Sequence, residues 1–204
     1  MGARMRLIDN LRRPDWLDEL HGLLLFAVTG TGLAVVGGVI ATLSGRALEV
    51  DVASDGALRP DALVGAPPGV SLGNVLHLRV EDPDGAQLTW AILTTLPRQL
   101  LILAALVLLW RSVGRARRDD PFGPGMAGGF RRLGLLLVVG GPVVWVVEFV
   151  ARFALSGTAG VGGTYASMDF LVPFAWLFCG FGAFAIGEVL RRGRVLRAEL
   201  DGVV

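Results

Sequence analysis

Four apolar runs, each bordered by charged or turn-forming residues, set the pattern of this chain: residues 20–43, 88–110, 133–155 and 167–190. An α-helix rises ~1.5 Å per residue, so about 20 apolar residues cross the hydrocarbon of a bilayer. Each run meets that length, which predicts four transmembrane helices. Arginines precede the first run, as they precede a signal peptide. Its core is longer than an h-region, however, and no A-x-A site follows in Ala41-Thr42-Leu43-Ser44-Gly45, so it is expected to be retained.

Between the first two runs the period changes from helical to two. Leu48, Val50 and Val52 alternate with Glu49, Asp51 and Ala53, and Leu76, Leu78 and Val80 alternate with His77, Arg79 and Glu81. That alternation predicts two half-buried strands. Pro60, Pro67 and Pro68 read as irregular loop between them, and Asp82-Pro83-Asp84-Gly85 is turn chemistry ahead of the second helix. Residues 44–87 therefore predict a small β-rich cap, with too few apolar residues to fold alone. In residues 1–19, Ile8, Leu11, Trp16 and Leu17 are interspersed with charges, which fits an interfacial amphipathic leader broken at Pro14.

Charge orients this layout. All 19 basic residues are Arg, and most of them cluster in the leader, in residues 111–132 and in the tail, residues 191–204. Residues 44–87 are acidic, and the short loop 156–166 carries no charge. The positive-inside rule then puts both termini and the middle loop in the cytoplasm, and the cap and short loop outside. With 53% hydrophobic residues against 18% charged, the composition excludes an ordinary soluble domain. The fold class expected is an all-α membrane protein: a four-transmembrane-helix bundle with a small β-rich extracytoplasmic cap in the first loop.

The candidate chemistry is sparse. One cysteine, Cys179, rules out an intrachain disulfide or a thiol relay and reads as a packing residue. His21 and His77 fall on opposite sides of the bilayer. No metal cluster, phosphate loop or nucleophile–base pair is visible, so no cofactor, metal or catalytic residue is expected. Three charges stand out well inside the apolar runs, away from their ends: Arg98, Glu148 and Arg152. An isolated charge there costs at least ~2.5–3.5 kcal/mol, which makes each a site candidate. Arg98 and Glu148 lie at similar depths on antiparallel neighbours and are expected to pair, with Arg152 one turn above Glu148. The pair either fixes helix register or borders an outward cavity for an anion or proton. Glu188 and Asp169 are expected to be solvated.

Pro97 with Thr94 and Thr95, and Gly140-Gly141-Pro142, predict kinks in the second and third helices. Small residues recur every four positions at Gly30, Ala34 and Gly38, and at Ala175, Cys179, Ala183 and Gly187. These stripes predict packing within the bundle, with a homo-oligomer as the alternative.

Two stretches carry a likeness. Asp120-Pro121-Phe122 followed by Phe130-Arg131-Arg132-Leu133-Gly134 resembles the "DPF … N-x-x-R-L-R-x-I-G" junction of DUF2975, a bacterial family of four-helix membrane proteins of unknown function. The end of the chain, from Glu188 through Arg192, Gly193, Leu196 and Arg197, resembles that family's closing "E-V-F-R-x-G-x-x-L-R-x-D-x-x-G-x-V" pattern. The family's Asn before the Arg pair is absent, with Gly and Ala in its place. The resemblance implies an integral protein of the plasma (inner) membrane with no established activity. Its members are often encoded beside small helix-turn-helix regulators, which implies a cytoplasmic transcriptional regulator as partner and no direct contact with nucleic acid.

The expected function is a non-enzymatic membrane sensor or regulator. Its cap and intramembrane charges would face outward, and its arginines would meet the lipid bilayer or a regulator. The alternatives are a structural, assembly-forming protein of claudin-like layout and a small transporter using the buried Arg and Glu charges.

Overall fold

The computed structural model describes residues 16–44, 47–54, 75–118, 124–158, 164–166 and 169–201. In chain order its elements are α1 (Trp16–Leu43), β1 (Leu48–Ser54), β2 (Val75–Val80), α2 (Gly85–Leu93), α3 (Leu96–Arg118), α4 (Pro124–Thr158), β3 (Thr164–Ala166) and α5 (Leu171–Asp201). Four helical segments are long and apolar enough to cross a membrane: Trp16–Leu43, Gly85–Arg117, Gly125–Thr158 and Leu171–Arg197. Their large side chains are widely exposed, Phe26 at 80% and Phe178 at 76% among them. Water would not tolerate so continuous an apolar surface, and lipid does. The chain is a multi-pass, predominantly helical membrane protein with one small sheet.

The helices outrun their apolar stretches. α4 begins nine residues before Leu133, and α5 continues past Leu190 through the arginines. Hydropathy marks the length that lipid demands, while a helix can continue into water with its backbone bonds intact. α5 starts at Leu171, not Ser167, because the Asp169 carboxylate accepts the Leu171 N–H at 2.8 Å and caps the first turn.

The second span is broken. α2 opens on a capping box, with Asp84 accepting from the Gln87 N–H at 2.7 Å and the Gln87 side chain accepting from the Asp84 N–H at 3.0 Å. It closes at Thr94–Thr95, where the Thr94 N–H reaches Trp90 O at 3.0 Å and the Thr95 N–H reaches Ile92 O at 3.2 Å. Pro97 has no N–H to continue the ladder. As the second residue of α3 it sits where that missing donor costs least. By contrast, α4 is one continuous helix of 35 residues that contains Pro142.

The sheet has the order β2-β1-β3. β1 and β2 pair antiparallel with Leu48 opposite Val80 and Val50 opposite Leu78, which keeps the alternating apolar residues on one face. On the other face Glu49 lies opposite Arg79, a pair of complementary charge, and Asp51 lies opposite His77. The cap is not built from the first loop alone. β3, drawn from the short connection between α4 and α5, pairs antiparallel with β1 through Val52–Ala166, Ala53–Tyr165 and Ser54–Thr164. It occupies an edge of β1 that would otherwise present unpaired backbone groups.

The chain divides into two compact units. The sheet-bearing unit comprises Ala34–Leu100 and Gly141–Ala175, with Val50 and Leu155 buried among Leu78, Val80, Trp90 and Ala91. The other comprises Met1–Leu33, Leu101–Gly140 and Trp176–Val204. Its core is Leu133, Leu137 and Ala183, packed by Leu108, Leu109, Phe130 and Trp176. There α4 and α5 approach closely at Gly134 and Gly180: a Cβ on Gly134 would meet Gly180 O at 2.9 Å, and one on Gly180 would meet Gly134 O at 3.1 Å. The stripe that packs on α5 is Gly180, Ala183 and Gly187, all buried, whereas Ala175 and Cys179 of the expected stripe are exposed. Gly30, Ala34 and Gly38 of α1 are exposed as well. The leader before Trp16, the proline loop and Asp120-Pro121-Phe122 lie outside the described residues.

Candidate intramembrane charge site

In the sheet-bearing unit, α3 supplies Arg98 two residues after its start, and α4 supplies Glu148 and Arg152 on successive turns. α3 and α4 together bring Arg98 against Glu148. Arg98 Nε donates to Glu148 Oε1 at 3.0 Å, and its Nη2 donates to Oε2, which makes a two-pronged guanidinium–carboxylate pair. The Glu148 side chain is 4% exposed and that of Arg98 is 37% exposed. The carboxylate is thus held inside, while part of the cation reaches a cavity.

That cavity has a volume of about 240 Å³ and is lined by Arg98, Trp145, Glu148, Phe149, Arg152, Asp169 and Val172. Its wall is aromatic. The Trp145 ring stacks on Phe149 with centroids 6.1 Å apart and tilts against Phe170 at 5.6 Å. Trp145 Nε1 donates to Asp169 O at 3.2 Å, fixing the start of α5 beside the charges. Asp169 is exposed, as expected, and it also caps α5 and borders the site.

Arg152 is half-buried and forms no hydrogen bond or ion pair among the described residues. It also lines a second cavity of about 180 Å³, with Glu49, Val50, Asp51, Thr94, Thr95 and Leu155. One guanidinium thus borders two cavities, one walled by aromatics and one by the acidic start of β1. Sequence reasoning found the three charges but missed Trp145, Phe149 and Asp169. Trp145 precedes Glu148 by three positions, a spacing that helical periodicity places on one face.

A model of the family described as "Protein of unknown function (DUF2975)" matches residues 75–204. The chain belongs to that family. No curated protein and no solved structure matches it. The DUF2975 match begins at Val75, the first residue of β2, and takes in Arg98, Glu148, Arg152 and both arginine-rich stretches, leaving out α1 and β1.

The other residues singled out for this DUF2975 chain fall in the unit without the sheet. Arg131 and Arg132 are exposed on α4. On α5, Glu188 is not simply solvated: Arg191 Nη2 donates to its Oε1 at 2.7 Å and Arg192 Nε to the same oxygen at 2.8 Å. Gly193 has open space around its α-carbon, Leu196 is exposed, and Arg197 has its own polar partner. His21 stacks on Trp110 at 5.4 Å, with both His21 Nδ1 and Trp110 Nε1 buried and without a hydrogen-bond partner. His77 pairs with Asp51 at 2.6 Å on the sheet. Among the described residues no three His, Cys, Asp or Glu side chains gather as a metal site.

Proposed function

We propose that this DUF2975 protein is a non-enzymatic membrane sensor whose receptor element is the cavity around Arg98, Glu148 and Arg152. The observation that carries the reading is Arg152, a cation within a membrane-spanning helix that has no counter-charge in hydrogen-bonding reach among the described residues and opens on two cavities. Leaving such a group unpaired is costly in lipid. Its presence is accounted for if a small anion supplies the missing charge. The charge of Arg98 is already met by Glu148, which accepts from its Nε and Nη2.

In this reading the arginine-rich tails lie in the cytoplasm of a bacterial inner membrane, and the sheet lies outside. Occupancy beside Arg152 bears on α4, which is a single helix from Pro124 to Thr158, and through its arginine-rich start on a cytoplasmic transcriptional regulator. The test is genetic. A chromosomal Arg152→Gln variant expressed at the wild-type level should alter the same transcripts as deletion of the gene, and a tagged wild-type chain should copurify a DNA-binding regulator. Wild-type transcript levels in the Arg152→Gln strain, alongside an altered deletion strain, would remove the cavity from the mechanism.

The assembly reading draws on a separate observation: the Gly30, Ala34 and Gly38 stripe of α1 is exposed, and a Cβ on Gly30 would meet no neighbour. Such a stripe is the surface on which a second transmembrane helix can pack.

A further inference from the structure

A larger cavity lies in the unit without the sheet, away from the charges just described. It measures about 520 Å³ and is lined by Ala127, Gly128 and Arg131 of α4 and by Phe184, Gly187, Glu188, Arg191 and Arg194 of α5. Its floor and rim differ in chemistry. Phe184, Ala127, Gly128 and Gly187 are apolar or bare backbone, whereas the rim carries three guanidiniums against one carboxylate. Glu188 is engaged by Arg191 and Arg192. Arg131 and Arg194 have no hydrogen-bond or ion-pair partner among the described residues. The cavity therefore presents two uncommitted cations above an apolar floor.

Its position along the helices matters as much as its charge. The apolar stretch of α5 ends at Leu190 and that of α4 begins at Leu133, so Phe184 lies within lipid depth while Arg191 and Arg194 lie beyond it. A ligand that fills both halves must carry an anion at headgroup level and an apolar portion below it. The volume also lies within the range of ligand sites, roughly 300–1,000 Å³. We propose that this cavity is a binding site for an anionic glycerophospholipid. The phosphodiester sits between Arg131 and Arg194, and the upper acyl chain runs against Phe184. The pair Arg191–Glu188 then acts as a fixed wall of the site. A diffuse basic surface attracts anionic lipid without choosing a place for it, and a bordered cavity chooses one.

The geometry supplies a substitution that closes the cavity without touching its charges. A Cβ on Gly128 meets nothing within 4 Å, whereas one on Gly187 would meet Ala127 O at 3.3 Å. Gly128→Leu thus puts a side chain into open space within a helix that favours Leu over Gly, while the contact at Gly187 is left alone.

The experiment uses the full chain purified in a neutral detergent, with native mass spectrometry counting retained phosphatidylglycerol against phosphatidylcholine of the same acyl chains. Wild type should retain one phosphatidylglycerol in preference. Arg131→Gln with Arg194→Gln should weaken retention roughly 25-fold, at roughly fivefold per guanidinium. Gly128→Leu should weaken it with every guanidinium in place, and it keeps the test valid if the double variant fails to fold. A control of equal charge, Arg111→Gln with Arg132→Gln, removes arginines that do not line the cavity and should leave retention unchanged. Equal loss in the control, equal retention of the two lipids, or displacement by inorganic phosphate as effective as that by phosphatidylglycerol would each overturn the proposal. The first two outcomes would indicate a diffuse surface effect, and the third a free-anion site.

Discussion

The Arg98–Glu148 pair gives the sharpest energetic prediction, because its two ends differ in burial. Replacing Arg98 by Leu strands a carboxylate that is only 4% exposed. Removing one partner of a buried pair costs ~3–5 kcal/mol. Arg98→Leu should therefore destabilise the protein by about 3–5 kcal/mol. The reverse change strands a guanidinium that is 37% exposed and sits on a flexible stem. Glu148→Leu should cost only about 1–2 kcal/mol, well under the penalty for a cation fixed at mid-membrane. With both replaced, no charge is stranded, and stability should return to within about 1 kcal/mol of wild type. The assay is reversible SDS-titration unfolding of the full chain in mixed micelles, run as a double-mutant cycle. A double variant as unstable as Arg98→Leu would refute this account of the pair.

Two further expectations follow from packing and exposure. Gly180→Ala should destabilise by about 1–3 kcal/mol, because its Cβ would meet Val138 Cγ2 at 2.5 Å and Gly134 O at 3.1 Å; Gly182→Ala, with nothing within 4 Å, should be neutral or slightly stabilising in the same unfolding assay. Cys179→Ala should leave stability within about 0.5 kcal/mol, since the thiol is exposed and outside both cores. In that background a cysteine at Arg192 should react with a membrane-impermeant maleimide only after cells are opened, and one at Asp51 should react in intact cells; the opposite pattern would invert the proposed topology.

Much of the architecture is a consequence of composition along the chain. Lipid requires a minimum apolar length for each crossing, so four runs of that length specified four spans with no reference to packing. The alternation at Leu48–Val52 and Leu76–Val80 specified two strands and their buried face, because a period of two leaves no other choice. The three intramembrane charges stood out for a similar reason: lipid makes each one expensive unless something meets it.

Other features depend on partners that a linear pattern does not contain. β3 is three residues long with no alternation of its own, and it exists because β1 has an edge to fill. In a helix as rich in Gly and Ala as α5, several stripes are equally plausible. The face that packs, Gly180 with Ala183 and Gly187, was chosen by the backbone of α4 at Gly134 and Ala127. Similarly, Trp145 and Asp169 became parts of the charge site because the Trp145 indole holds the Asp169 carbonyl beside it, just before α5. The sequence by itself determined which segments enter lipid and which charges must be met there. Only the tertiary structure decided which side chains surround the expected Arg98–Glu148 pair and that Arg152 meets no counter-charge among the described residues, because that depends on helix phase and contact distances, which hydropathy does not encode.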